Sequence, residues 1–409
     1  MEKIAFWGNF GTGNLGNECT LQATIANIRQ RFPQARLVCI CTGPEDASRR
    51  HDLECLSIQP ALAGSGFGNA VPPAQRLLRK LLFAVPNEFR RCRQAFSALE
   101  GVDALVVPGT QVLAKYDSEV LGWTYFALKW AVIAKLRGSS LIFLNVGVGP
   151  IRGRIARFCA KAALLLADYR AYRDHDSKEY ARRLGVEVAP DVVCPDLAFG
   201  LPESVMGTRI GRQEDADAIA LGVVDYHGQF SESAPADSAL LYQNYLERTA
   251  ELVVRLAEGG RTVRMIIGDL SYDRTVVNDV TSILREKGSE ACRERLEIPP
   301  IHCVDDLISH IRRSRVVISP RFHNIVLALL CEKPVIAIAY QKKFAELMGD
   351  LGLQDYVVPI DDFQPERVLQ QLRCIDARYE DIKELVGSRV ALYQNSLREQ
   401  YDLIFDRKW

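Results

Sequence analysis

Short apolar runs along the chain alternate with segments whose apolar positions recur at helical spacing. Lys3–Trp7, Arg36–Cys41, Asp103–Val107 and Leu141–Val146 read as strands, the last two apolar almost throughout. Leu21–Arg31, Trp123–Leu136, Arg154–Leu166 and Ser177–Leu184 read as helices. Strands without a polar face, separated by helices, predict a parallel sheet covered on both sides. The rhythm breaks between Gly200 and Ala216, where Pro202, Gly207 and Gly211 stand among mixed charges. It resumes with strands at Ala218–Val224, Arg261–Ile267, Val316–Ser319 and Pro334–Ala339, and helices at Leu240–Glu258, Asp273–Lys287 and Phe322–Cys331. The expected organisation is an α/β chain of two Rossmann-like lobes, 1–200 and 218–375, joined by a linker at 201–217. A charged helical tail, 376–409, is expected to pack back on the first lobe. Residues 43–100, with Gly64, Gly66, Gly68 and a basic helix, fit this rhythm least.

Composition narrows the function. The 409 residues are 48% apolar and 25% charged, an ordinary globular balance. Lys plus Arg and Asp plus Glu are both 51, so no net charge favours nonspecific nucleic-acid binding. Eleven cysteines form no C-x-x-C pair, which points to free thiols in a reducing compartment and to no bound metal. Met1-Glu2-Lys3-Ile4 opens directly into a strand, and apolar stretches such as Phe158–Ala167 are too short to span a bilayer. A cytoplasmic location is the expectation.

Four segments could carry chemistry. Gly8-Asn9-Phe10-Gly11-Thr12-Gly13-Asn14-Leu15-Gly16 follows a strand and precedes a helix. Gly11 to Gly16 fits G-x-G-x-x-G, but the next strand ends Cys39-Ile40-Cys41-Thr42, without the acid a dinucleotide ribose requires. The run reads as a substrate-facing loop, or as a tight turn without a ligand, and no cofactor is expected. Second, Ser319-Pro320-Arg321-Phe322-His323-Asn324 follows a buried strand. Ser319 is expected to cap the next helix, with Arg321 and His323 in its first turn. Cations there oppose the helix dipole, which points to a bound anion; the alternative is a surface arginine and a core histidine. Third, Arg173-Asp174-His175-Asp176-Ser177 offers Arg173 as an anion ligand or an ion-pair partner of Asp174, with Asp176 or Ser177 as the helix cap. Fourth, Pro108-Gly109-Thr110-Gln111 and Asn145–Pro150 suit a binding edge. The basic segment Arg76–Arg93 suits peripheral contact with the inner face of a membrane, or a solvated helix face.

In this order the pieces resemble the polysaccharide pyruvyl transferase family. The resemblance rests on the Gly8–Gly16 run, Asn145–Pro150, Arg173-Asp174 with Ser177, Pro195-Asp196-Leu197-Ala198-Phe199, Arg321-Phe322-His323, and Lys333-Pro334-Val335-Ile336-Ala337-Ile338-Ala339-Tyr340. It implies a GT-B-like fold with two lobes facing a cleft. Phosphoenolpyruvate would be the donor, and a sugar of an exopolysaccharide, cell-surface glycan or lipid-linked precursor the acceptor. Ketal formation then needs a proton on the donor methylene, attack by one sugar hydroxyl, and displacement of phosphate by a second. Arg321 and Arg173 are the expected anion ligands. His323 is the expected general acid or phosphate ligand, and Asp196 or Asp225 the base. Gly11, Gly13, Asn14, Gly16, Ser177 and Asn324 are expected to contact substrate. A nucleotide-sugar glycosyltransferase and a noncatalytic glycan-binding relative remain open on the same residues.

Overall fold

The computed structural model describes residues 1–59, 73–115, 122–204, 206, 215–227 and 238–405, with 73–85 and 115 by their backbone alone. Gly64, Gly66 and Gly68 lie outside these residues, as do most of the expected linker and the end of the tail.

The first half alternates strands and helices: β1 (Lys3–Gly8), α1 (Leu15–Arg31), β2 (Arg36–Cys41), α2 (Pro44–His51), β3 (Glu54–Ser57), α3 (Pro73–Ala98), β4 (Ala104–Pro108), β5 (Leu113–Lys115), α4 (Trp123–Leu136), β6 (Ser140–Val146), β7 (Val148–Ile151), α5 (Arg154–Leu165), β8 (Tyr169–Tyr172), α6 (His175–Arg183) and β9 (Val192–Val193). β5 and β7 form a small pair of their own. The other strands form one parallel sheet in the order β3-β2-β1-β4-β6-β8-β9. One core of this unit joins Ala5, Trp7, Leu105, Val107 and Phe143 to Leu99 of the α3 exit, Trp130 of α4 and Ala160 of α5. Burying both faces of the central strands explains why their sequences are apolar without alternation.

The second half repeats the plan: β10 (Ala218–Gly222), α7 (Ser238–Glu258), β11 (Thr262–Ile266), α8 (Tyr272–Lys287), α9 (Glu290–Arg295), β12 (Leu296–Glu297), α10 (Val304–Arg312), β13 (Val316–Ser319), α11 (Phe322–Leu330), β14 (Val335–Ala339), α12 (Lys342–Asp350), β15 (Val357–Pro359), α13 (Pro365–Ala377) and α14 (Tyr379–Phe405). Its parallel sheet runs β12-β11-β10-β13-β14-β15. In both sheets the first strand sits between the second and the fourth in this doubly wound order. That reversal is the switch point at which such sheets bind ligands, beyond their strands' carboxyl ends.

The chain divides into two compact units. Of the described residues, one unit holds Met1–Thr12 and Ile28–Val193; the other holds Gly13–Asn27 and those from Cys194 to Phe405. The division therefore falls after Val193 and not within 201–217, and the turn Leu197–Gly200 belongs with the second unit. There it packs on α14, with the Phe199 and Tyr393 rings edge to face at 5.0 Å. α14 also packs on α11 and α13. Most of α1 is likewise part of the second unit. This helix starts at Leu15, ahead of the expected Leu21, because the Asn14 side chain accepts the Asn17 N–H at 3.2 Å.

Within the first unit, Gly11 has φ +72, and a Cβ on it would lie 1.9 Å from the Gly43 carbonyl oxygen. Gly11→Ala combines a left-handed backbone with a clash against main chain. Stability should fall by about 1–3 kcal/mol, read from the urea midpoint at unchanged m.

Candidate functional site

In the second unit β11, β10 and β13 lie side by side, and their exits are made from small and charged residues. β13 ends at buried Ser319, whose Oγ accepts the Arg321 N–H at 3.0 Å. Arg321 itself is the N-cap of α11, with extended backbone, and Pro320 precedes the helix. The expected capping by Ser319 is thus corrected: its hydroxyl closes a turn one residue before the helix. Only His323 of the two cations lies in the first turn.

Arg321 is held by Asp273 near the start of α8. Its Nε lies 2.9 Å from Oδ2, and Nη2 donates to Oδ1. Asp273 is fully buried and also accepts the N–H groups of Gly268 and Asp269, each at 2.9 Å. Burial pushes its carboxyl above the usual value, while Arg321 and these hydrogen bonds hold it down. Burial also works against the Arg321 charge, but Asp273 outweighs it and the guanidinium pKa rises. The anion inferred from a cation at a helix start therefore exists inside the chain.

Beside this pair, Asn324 is fully buried and neither of its amide atoms has a hydrogen-bond partner. A Cβ on Gly268 would lie 2.9 Å from its Oδ1, and one on Gly222 would lie 3.1 Å from its Nδ2. Buried amides of this kind are uncommon. The hydrogen-bonding capacity of this one is unspent among the described residues.

His323 lies against α1. Its Nε2 is 3.4 Å from Thr20 Oγ1 and 3.7 Å from Asp196 Oδ2. Asp196 Oδ1 accepts the Ala198 N–H at 3.0 Å, while the buried Oδ2 has no hydrogen bond. The turn that Asp196 caps thus presents its second oxygen to the histidine.

The glycine run has a packing explanation. The Gly13 carbonyl accepts the Leu270 N–H, the Leu15 N–H donates to Gly268, and Asn14 bridges to Asp269. A Cβ on Gly16 would lie 2.1 Å from His323 Nδ1, so only glycine lets this ring approach the helix so closely. Together with the Gly11–Gly43 contact, these approaches give Gly11 and Gly16 packing roles.

Arg173 and Ser177 belong to the first unit. The Arg173 side chain is nearly buried, and its Nε donates to Asp174 Oδ2 at 3.2 Å. A Cβ on Gly147 would lie 2.9 Å from its Nη2. Asp174 caps α6 by accepting the Ser177 N–H at 2.6 Å, in place of the expected Asp176 or Ser177. The Ser177 hydroxyl accepts the Val148 N–H at 3.1 Å. Asp225 pairs with His227 at 3.0 Å in the second unit. In the basic segment Arg90 and Arg93 are exposed, while the side chains of Arg76 to Lys80 lie outside the described residues.

Four participants escaped the sequence reading: Thr20, Gly268, Asp269 and Asp273. The available signal was Gly268-Asp269-Leu270-Ser271-Tyr272-Asp273 at the exit of an apolar strand. It resembles no common motif, and its acids read as ordinary helix-start residues.

Two doubly wound units, the second with a charged cluster at its switch point, define a GT-B-like α/β protein. Solved structures of this fold include UDP-GlcNAc 2-epimerases. The one from Methanocaldococcus jannaschii has TM-score 0.59 at 10% identity, covering 91% of this chain and 92% of that one. The one from Neisseria meningitidis, bound to UDP-GlcNAc, has TM-score 0.59 at 10% identity, covering 98% and 100%. The one from Rickettsia bellii has TM-score 0.54 at 10% identity, covering 98% of each chain. No curated protein matches the sequence. The chain belongs to the polysaccharide pyruvyl transferase family, whose model matches residues 14–342, most of its length.

Removing one partner of a buried pair leaves a charge without compensation. Asp273→Ala should lower stability by about 3–5 kcal/mol, measured by urea unfolding. Gly16→Ala should keep the fold and displace His323, seen as a changed chemical shift of its imidazole protons.

Proposed function

We propose that the protein moves a pyruvyl group from phosphoenolpyruvate to two hydroxyls of one sugar in a glycan or its lipid-linked precursor, in the cytoplasm. The observation that carries this reading is the family match, which spans Arg173, Asp196, Arg321 and His323. The cluster at the second switch point supports it.

In this mechanism His323 gives a proton to the donor methylene carbon, and the neighbouring carbon becomes oxocarbenium-like. Asp196 orients the ring and offsets the charge it carries before the transfer. The first sugar hydroxyl adds to the cationic carbon and its proton returns to the His323 imidazole. The carbon–oxygen bond to phosphate then breaks, and the second hydroxyl closes the ketal as its proton passes to the departing phosphate. Arg321, fixed by Asp273 through Nε and Nη2, turns its remaining edge to the donor's carboxylate or phosphate. Asn324 supplies an uncharged contact beside it. Arg173, in the first unit, is by itself a candidate anion ligand. The glycine run positions α1, and with it Thr20, behind the histidine.

The alternative is transfer from a nucleotide sugar, which the UDP-GlcNAc-bound neighbour of this fold favours. Phosphate release that depends on both phosphoenolpyruvate and a sugar acceptor supports pyruvyl transfer. Release of a nucleoside diphosphate from a nucleotide sugar would overturn it.

Arg321→Lys retains the charge but loses the planar fork, so kcat/KM for phosphoenolpyruvate should fall about ten- to a hundredfold. His323→Ala should lower kcat more than it raises the donor KM. A rise in KM alone would make the ring a phosphate ligand and not the acid.

A further inference from the structure

The outer surface of α3, α4 and α5 is built the wrong way round for a helix layer facing only water. α5 packs on α4 and buries mostly small residues, Ala156, Cys159, Ala160 and Ala163, together with Leu164. Other bulky residues point outward, with Ile155 56%, Phe158 66% and Leu165 54% exposed. Packed beside it, α4 exposes Val132 and Leu136, the latter by 70%. On α3, which packs on α4, Phe89 is 73% exposed. Arg137, just beyond α4, lies over the Phe96 ring at 3.8 Å and donates to the Phe96 carbonyl, joining these helix ends. Apolar patches extending over several elements mark interaction surfaces.

Charge identifies the occupant. From Val120 to Ala167 the sequence has no Asp or Glu but seven Lys and Arg, of which Lys129 is buried on Glu88 and Lys135 pairs with Asp168, so the arginines carry the surface charge. Arg152, Arg154 and Arg157 are exposed at the start of α5, and Arg90 and Arg93 on α3. The one acid on the described outer part of α3, Glu88, is tied to Lys129, Arg91 and Tyr125. Basic residues fringing bulky apolar ones match a surface of anionic headgroups over acyl chains. A second copy bound through the same face would bring arginines against arginines. No helix among the described residues is long and apolar enough to cross a membrane, so the contact would be peripheral.

We propose that the α3–α5 face docks this protein on an anionic lipid surface, with Phe158, Ile155 and Leu136 entering the headgroup boundary and the arginines pairing with phosphates. This goes beyond the basic segment read from sequence, because the apolar anchors and the acid-free run lie mainly on α4 and α5. It does not depend on the pyruvyl-transfer reading.

The test is flotation of the full-length protein with phosphatidylcholine vesicles, with and without phosphatidylglycerol. Binding should require the anionic lipid and weaken as salt is raised. Phe158→Glu and Leu136→Glu, on separate helices, should each lower vesicle affinity at least about tenfold. Arg154→Ala and Arg157→Ala should each cost about fivefold. Leu240→Glu, an exposed apolar residue of the second unit, should change nothing. Circular dichroism would confirm that each variant is folded. Absence of flotation, equal flotation without anionic lipid, or binding unaffected by both glutamate variants would overturn the proposal. So would a dimer, seen by light scattering, that Phe158→Glu dissociates while the wild type ignores vesicles.

Discussion

Asp273 has no exposed surface, yet it accepts from two backbone N–H groups and from two nitrogens of Arg321. That carboxylate ties the exit of β11 to the exit of β13, on either side of β10. The Gly268-Asp269 peptide, fixed by it, in turn fixes Asp269, whose Oδ1 accepts the N–H groups of Ser271 and Tyr272 as α8 begins. Asp269 and Gly268 then hold Asn14 and Leu15 at the start of α1. Gly16, one residue on, receives the His323 ring. A displacement of Asp273 would thus travel through the cap of α11, the start of α8 and the histidine. Two-sided hydrogen bonding is what lets a buried carboxylate serve this way, since an ion pair alone seldom repays its desolvation.

The sequence displayed the sheets because buried parallel strands have a simple signature. Val316–Ser319 and Trp123–Leu136 fall where the hydropathy placed them. It displayed β3, β9 and β12 poorly because these are short edge strands with half-exposed or charged residues. The unit boundary was less legible still. Gly13–Asn27 follows the first strand in sequence but belongs to the second unit, and no local pattern records which body a helix joins. At the site, Arg321 and His323 were conspicuous because cations at a helix start conflict with the dipole. The anion that resolves the conflict was not, since Asp273 lies far from Arg321 in sequence and reads as a favourable acid in the first turn of α8.

A different conflict marks the first unit. In α5 the buried residues are mostly alanines while Ile155, Phe158 and Leu165 face out, so its amphipathic pattern is displaced toward solvent. The buried alanines let the helix sit close to α4, and packing alone would place no phenylalanine at 158. The whole-chain charge balance concealed the accompanying asymmetry, because a net of zero is compatible with a long acid-free stretch. Local charge and the direction in which bulky residues point therefore carry information that composition averages away.

Both candidate anion ligands share one construction. Arg321 is held by Asp273 through Nε and Nη2, and Arg173 by Asp174 through Nε. Such pairing weakens the attraction each arginine exerts on a distant anion, because its own carboxylate cancels most of the field. Against that loss, a guanidinium clamped along one edge has little rotamer freedom left to surrender. For Arg321, held through Nε and Nη2, the direction of the guanidinium is set before any ligand arrives. The gain is largest for a planar or trigonal oxyanion, which must meet the guanidinium donors in one orientation, and smallest for a diffuse negative charge. In a cluster that also contains Asp196 and Asp269, net charge selects weakly and fixed geometry selects strongly. Discrimination among anions at such a cluster should therefore follow the spacing of their oxygen groups more closely than their total charge.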